Sequence, residues 1–434
     1  MKRILSLFLI CGFLFSLCSC TQNNSHAEPE VPVASEPSAP AVQENVSTEE
    51  GEEMEEDVPE PPVEHRVSFF ATGDNLIHTG IWRQANRNAG GSGNDCRMDS
   101  EYDFELFYRS LAPMVEKADV SFLNQETLVA ADESGVPQNY PQFNTPRACG
   151  DAMIELGFDV VNLANNHMLD MGGEGLYHSI EYWRSKEGVT QIGAYLDEAD
   201  YNAVRVVEKN GIRIAFLAYA EDANNSGRGI QTPLSFYHGF SSRSLYVPAM
   251  DENELRRQVE AAKAVSDFVV VAFHWGTENS YRVSAVQERY AALCCELGVD
   301  VVLGSHPHVL QPIQWLESED GGTKTLVVYS LGNMISLMES TVGNLLGGAL
   351  ELEFVLCDGV GRIENVSLTP IVSHCSASYR EIHVYLLSDY TEELYRAHYI
   401  HSHCTTTLSD FATILQAQIP TEFLAEEWKS ADTA

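Results

Sequence analysis

The stretch that most limits how this chain can fold is Val299-Asp300-Val301-Val302-Leu303, an apolar run followed at once by Gly304-Ser305-His306-Pro307-His308. So short a run of Val and Leu reads as a buried strand, which puts His306 and His308 on the loop at its end. Ligands of open α/β sheets gather at that edge. Pro307 fixes one φ between the two imidazoles and limits how far the pair can wander. Neutral imidazole binds first-row divalent metals. An isolated His-x-His, however, is more often a loop cap beside a surface residue, so the other strand ends must decide.

They repeat the pattern. Val67-Ser68-Phe69-Phe70-Ala71 reads as a strand ending in Thr72-Gly73-Asp74, with His78 four residues on. Taken alone, Asp74 reads as a turn residue or a helix N-cap. Asp119-Val120-Ser121-Phe122-Leu123 runs into Asn124-Gln125-Glu126. Phe158-Asp159-Val160-Val161-Asn162-Leu163 runs into Ala164-Asn165-Asn166-His167, with Asp170 and Gly172 beyond. Asp267-Phe268-Val269-Val270-Val271-Ala272-Phe273 delivers His274-Trp275-Gly276-Thr277-Glu278. Asp74, Glu126, Asn166 with His167, His274, and His306 with His308 thus stand at five separate strand ends, and a common cap or surface role for all of them is improbable. The set holds oxygen and nitrogen donors without thiolate, which suits one or two ions of manganese, iron, zinc or magnesium.

Between the strands the pattern is helical over 103–117, 146–156 with Gly157 as a C-terminal glycine, 172–186, 252–265 and 285–297. His178 falls on a helix face. Asn86 to Ser100 reads as a surface loop placed to act as a lid. A further strand is expected over 190–194, a hairpin over 203–208 and 212–219 around Asn210-Gly211, and a strand pair from Gly347 to Ile371 around Asp358-Gly359. The segment 224–244 carries no recognisable motif. Residues 376–434 read as an αβ extension with helices near 391–400 and 407–418, and His398, His401 and His403 read as surface histidines.

The flanks set the context. Lys2 and Arg3 precede an apolar run from Ile4 to Leu17, too short for a comfortable membrane span and shaped like a secretory signal. It closes with Leu17-Cys18-Ser19-Cys20, which resembles a bacterial lipobox with Cys20 as the acylated residue; an ordinary signal peptide is the alternative. Residues 21–64 hold thirteen carboxylates and no Lys or Arg, a composition that cannot bury a core and reads as a solvated acidic stalk. The chain carries a net −37, of which about −26 remains once signal and stalk are set aside. Nucleic acid, which needs clustered cations, is therefore excluded as a partner. Seven cysteines follow Cys20 without CxxC spacing, and only a Cys96–Cys149 bridge suggests itself.

In order and spacing these motifs, from Gly73-Asp74 to Tyr329-Ser330-Leu331-Gly332-Asn333, resemble the CapA (poly-γ-glutamate capsule biosynthesis) family of the calcineurin-like metallophosphoesterase superfamily. The resemblance covers roughly 67–371 and implies a four-layer α/β/β/α sandwich over 65–375. It also implies a membrane-associated, extracytoplasmic role in making or exporting poly-γ-glutamate, beside membrane-embedded synthase subunits. By the superfamily pattern Asp74 and His308 would hold one metal, Glu126 would bridge, and Asn166, His274 and His306 would hold a second. His167 would serve as acid at the leaving oxygen. Glu278 and Asn333 would touch substrate or orient His274, and Asp170 and His78 would line the site. The sequence departs from the superfamily's Asp-x-His, since Leu76 stands where the histidine would be. It also carries Glu126 where a bridging aspartate is usual. Two functions remain open: a lipid-anchored capsule-assembly component on the outer face of the bacterial membrane, or a surface metal-dependent phosphoesterase. A domain near −26 would repel polyglutamate, so binding would need bridging cations or a basic patch such as Arg282 with Arg289.

Overall fold

A computed structural model describes residues 63–221 and 245–429, apart from 95, 98, 99, 136, 139 and 403. The signal, Cys20, nearly all of the stalk, the segment 224–244 and His403 lie outside the described residues. No helix among those described is long and apolar enough to cross a membrane.

Among the described residues, fourteen strands form two sheets. In chain order they are β1 (Glu64–Asn75), β2 (Val120–Asn124), β3 (Val160–Asn162), β4 (Thr190–Ile192), β5 (Arg205–Lys209), β6 (Ile212–Ala220) and β7 (Phe268–His274). There follow β8 (Val301–Ser305), β9 (Leu310–Glu317), β10 (Lys324–Leu331), β11 (Asn333–Ile335), β12 (Leu346–Cys357), β13 (Val360–Cys375) and β14 (Ile382–Leu386). The first sheet runs β14-β13-β12-β1-β2-β3-β4, with β11 also paired to β1; the second runs β5-β6-β7-β8-β10-β9. Within each, a parallel set, β1 to β4 and β6-β7-β8-β10, carries the ligand-type residues at its C-terminal ends.

Alternation along the second sheet explains why its strands are apolar throughout. Phe216, Phe268, Val270, Val301, Leu303 and Val328 face the first sheet. Leu217, Val269, Val271, Val302 and Val327 face the helices Glu252–Lys263 and Ala285–Leu297. Across the interface, Phe69 stacks on Phe216 with centroids 6.3 Å apart, and Phe268 meets Phe354 at 5.0 Å. Phe70 turns the other way, toward Phe158 and the helices Arg147–Leu156 and Gly172–Arg184 that join the same core. The result is the α/β/β/α sandwich expected from the sequence.

Local signals operate where the sequence placed them. Ser284 and Gln287 form a capping box at the start of Ala285–Leu297, Gly157 and Gly298 end their helices in the left-handed region at φ 110° and 72°, and Asn210-Gly211 turns the β5–β6 hairpin. Several expectations fail. The loop expected over 86–100 begins inside a helix, Thr79–Asn88, whose N-cap His78 makes no side-chain cap bond and so left no signal. The helix expected over 103–117 is a short 3-10 turn, Glu105–Tyr108, then Ala112–Lys117 with a proline in its first turn. Strands β9 and β10 were not foreseen; β9 carries Pro312, which the sheet tolerates because β9 is an edge strand. The extension past 376 is continuous with the first sheet, since β14 pairs with β13. His398 is buried against His374 and Tyr399 rather than at the surface, and no disulfide joins Cys96 to Cys149.

Candidate metal centre

The register of the parallel strands assembles the site. Asp74, next to last in β1, lies opposite Asn124 of β2 on one side and Asn333 of β11 on the other, and Asn124 in turn lies opposite Asn162 of β3. A ladder of side-chain amides follows. Asn162 Nδ2 donates to Asn124 Oδ1 at 2.9 Å, and Asn124 Nδ2 donates to Asp74 Oδ1 at 2.7 Å. Asp74 is fully buried, and the neutral amide of Asn124 fixes one of its oxygens without cancelling its charge. On the second sheet His274, last in β7, lies opposite Ser305, last in β8. The Ser305 hydroxyl donates to the Phe273 carbonyl, so it accepts from His274 Nδ1 at 2.9 Å and turns the Nε2 lone pair inward. That nitrogen stands 3.1 Å from both Asn166 Oδ1 and His306 Nδ1.

The loop after β8 is strained, as a functional loop often is. His306 and His308 take φ values of 97° and 56°, a region that side chains avoid, with Pro307 between them. Strand packing leaves no slack behind it: a Cβ at Gly304 would sit 2.0 Å from the Tyr329 carbonyl oxygen. His308 Nδ1 lies 2.9 Å from Asp74 Oδ2 and 3.0 Å from Asn333 Oδ1, and its Nε2 is 3.4 Å from Glu126 Oε1. Asn333 therefore orients His308, not His274, whose orienting partner is Ser305.

Glu126 lies between the two sets. It is fully buried, and neither carboxylate oxygen has a hydrogen-bond partner. The ligand atoms of Asp74, Glu126 and His308 lie within 4.8 Å of one another, as do those of Glu126, His274 and His306, and those of Glu278, His306 and His308. A buried carboxylate without donors is costly unless something positive meets it, so the residues present fit a divalent cation. The electrostatics agree. Burial pushes the Glu126 carboxyl well above its ordinary range, partly opposed by His308. Burial and neighbouring imidazoles hold His274 well below its ordinary value and His306 at about 3. His308, despite its burial, is raised to about 10 by Glu126 and Asp74.

The other expected residues fall as follows. His167 is buried; its Nδ1 lies 2.8 Å from Asp170 Oδ2, which also accepts from the Phe143 amide at 2.6 Å, and the Phe143 ring stands edge-on at 4.7 Å. His78 stays out of the ligand groups; its Nδ1 accepts from the Leu337 amide at 3.2 Å, which ties the ring to the backbone. Its ring meets Phe143 instead, and burial lowers it to about 4. Glu278 is exposed at the rim. The sequence reading gave no role to Asn124, Asn162 or Ser305 individually, although each is the last residue of a strand, a position where a polar side chain after an apolar run is itself a signal.

Fold and site together define an α/β/β/α sandwich with a buried carboxylate–imidazole cluster where the parallel strands of both sheets end. Residues 68–338 match the family model described as bacterial capsule synthesis protein PGA_cap, and the chain belongs to that family. Among curated relatives it is 30% identical over 288 residues to the capsule biosynthesis protein CapA of Bacillus anthracis, covering 63% of this chain and 62% of that protein. It is 28% identical over 222 residues to the PGA biosynthesis protein CapA of Bacillus subtilis (strain 168), covering 51% of this chain and 52% of that protein. The chain thus spans between half and two thirds of the length of these relatives. A solved structure, that of a novel phosphatase from Mycoplasma pneumoniae, aligns over 71% of this chain and 95% of its own at 15% identity and a TM-score of 0.39, too slight a likeness to transfer any property.

Proposed function

We propose that this chain is a lipid-anchored, cell-surface CapA-like protein of poly-γ-glutamate capsule synthesis or export, holding one or two divalent cations at the sheet edge. Family membership and the names of its relatives support the capsule role. The cation reading is carried by Glu126, a buried carboxylate with no donor, shared by two ligand triads. In this reading Asp74 and His308 hold one cation, Glu126 lies between, and Asn166, His274 and His306 hold the second. The donor set favours manganese, iron, zinc or magnesium. Such cations, when bound, polarise a substrate oxygen and offset negative charge.

The chain's own groups do the rest. Asp170 holds the Nδ1 proton of His167, which leaves Nε2 to give or take a proton at the substrate's leaving atom. Asn124 and Ser305 keep Asp74 and His274 aimed. Cations at this edge would also answer the charge problem: a domain near −26 repels polyglutamate, and Arg289, one of the two arginines of the expected patch, is already paired with Glu252 at 3.1 Å. Cys20 and the acidic stalk would hold the domain on the outer face of the bacterial membrane, beside membrane-embedded synthase subunits.

The His167–Asp170 pair favours a second reading, an extracytoplasmic metal-dependent phosphoesterase. Metal analysis of the full chain, with a panel of phosphodiester and γ-glutamyl amide substrates on wild type and His167→Ala, separates the two. Phosphodiester turnover lost in the variant supports the second reading. Poly-γ-glutamate binding that survives chelation unchanged would reject the bridging cation.

A further inference from the structure

We propose that Glu278 is an additional ligand of the cation cluster, closing it from the solvent side; this rests on the cation reading above. Its carboxylate and the ligand atoms of His306 and His308 lie within 4.8 Å of one another. Those two histidines belong to different inner triads, so Glu278 reaches both halves of the cluster. Each inner triad offers three side-chain ligands within that distance, while first-row divalent cations take four to six. A further carboxylate at the mouth helps to fill the count.

The backbone holds Glu278 there. The turn that carries it leaves β7 through Gly276, at φ 91°, and closes at Asn279, whose φ of 61° is one that side chains avoid. Gly276 N donates to Glu221 Oε2 at 2.8 Å, and Asn344 Nδ2 donates to Asn279 Oδ1 at 2.7 Å. Asn279 N donates to the carbonyl of Pro307 at 2.8 Å, which is the residue between the two histidines. The turn is thus tied to the loop whose ligands it would complete. Glu278 is exposed where Asp74, Glu126, His274 and His308 are buried, and it makes no salt bridge among the described residues. As the one exposed ligand, it is the group an incoming carboxylate or phosphate oxygen would replace.

The experiment is calorimetric titration of the full, metal-stripped chain with Mn²⁺, on wild type, Glu278→Gln and Glu278→Asp. Glu278→Gln is expected to weaken at least one class of Mn²⁺ site by about tenfold or more, with Glu278→Asp falling between. Melting temperature and circular dichroism in EDTA should not change, because the side chain is exposed. Wild-type binding with an unchanged isotherm in Glu278→Gln overturns this proposal alone. A wild-type chain that takes up neither Mn²⁺ nor Zn²⁺ overturns this proposal and the cation reading together.

Discussion

Replacing Asn124 tests whether the amide ladder aims the cluster. Leu has the branched outline of Asn and is larger, so Asn124→Leu opens no cavity, adds crowding and removes two polar contacts. One is the 2.7 Å bond to Asp74 Oδ1, of the charge-assisted kind that contributes about 1.5–3 kcal/mol. The other is the 2.9 Å bond from Asn162, of the neutral kind at about 1 kcal/mol. Asn162 keeps its contact with the Ala164 carbonyl at 3.3 Å, and Asp74 keeps His308 at 2.9 Å, so neither group is orphaned. Urea denaturation in EDTA should show a loss of about 2–4 kcal/mol. Asn124→Asp makes the sharper comparison. It places a second carboxyl within hydrogen-bond reach of Asp74 in a buried site, so it should destabilise the chelated protein further and be rescued by Mn²⁺ more than Asn124→Leu is. An Asn124→Leu protein within about 0.5 kcal/mol of wild type, with unaltered Mn²⁺ affinity, would refute the ladder's role.

Three further outcomes are expected. In EDTA, stability should fall as pH rises from about 6.5 toward 8: His308, raised to about 10, keeps its proton in the folded chain after the unfolded chain has lost its own, and Mn²⁺ should flatten the slope because ligation replaces that proton; differential scanning calorimetry reads both arms. Glu126→Gln should abolish the Mn²⁺-induced rise in melting temperature and, in EDTA, flatten the fall in stability between about pH 6.5 and 8, since Glu126 is the foremost of the charges that hold the His308 proton. Gly304→Ala puts a methyl 2.0 Å from the Tyr329 carbonyl oxygen, so it should force β8 from β10, lower the melting temperature and weaken Mn²⁺ uptake in the same protein.

The strand ends were legible because physics makes them so. A parallel strand buried on both faces must be apolar throughout, so a polar residue at its end stands out, as Asp74, Glu126, His274 and His306 do. What pairs with what was not legible. Asn124 and Asn162 look like turn formers until the β1-β2-β3 register sets them side by side, and Ser305 becomes the partner of His274 only through the β7–β8 register. His398 was misread because a run of histidines looks solvent-facing. Its neighbours in space, His374 and Tyr399, come from β13 and from the residue after it, and Tyr390 reaches the same cluster through His374. His78 had the right spacing from Asp74 to join the cluster, yet its Nδ1 accepts from the Leu337 amide and its ring packs on Phe143.

The partners around the cluster separate by kind, and the separation bears on what the site is for. Asp74 Oδ1 and His274 Nδ1 are held by neutral groups, an amide donor and a hydroxyl, which fix geometry, while His308 meets the other oxygen of Asp74. No arginine or lysine among the described residues reaches Glu126, although such a pair would be the usual way to tolerate a buried carboxylate. A fold selected only for stability would have paired this carboxylate or replaced it with an apolar side chain, since a buried ionisable group is rarely a net gain. Leaving Glu126 without a hydrogen-bond donor and with only the His308 imidazole as countercharge makes chemical sense when an incoming cation takes the place of the His308 proton, and a divalent cation is the species that carboxylate, amide oxygen and imidazole nitrogen accept together.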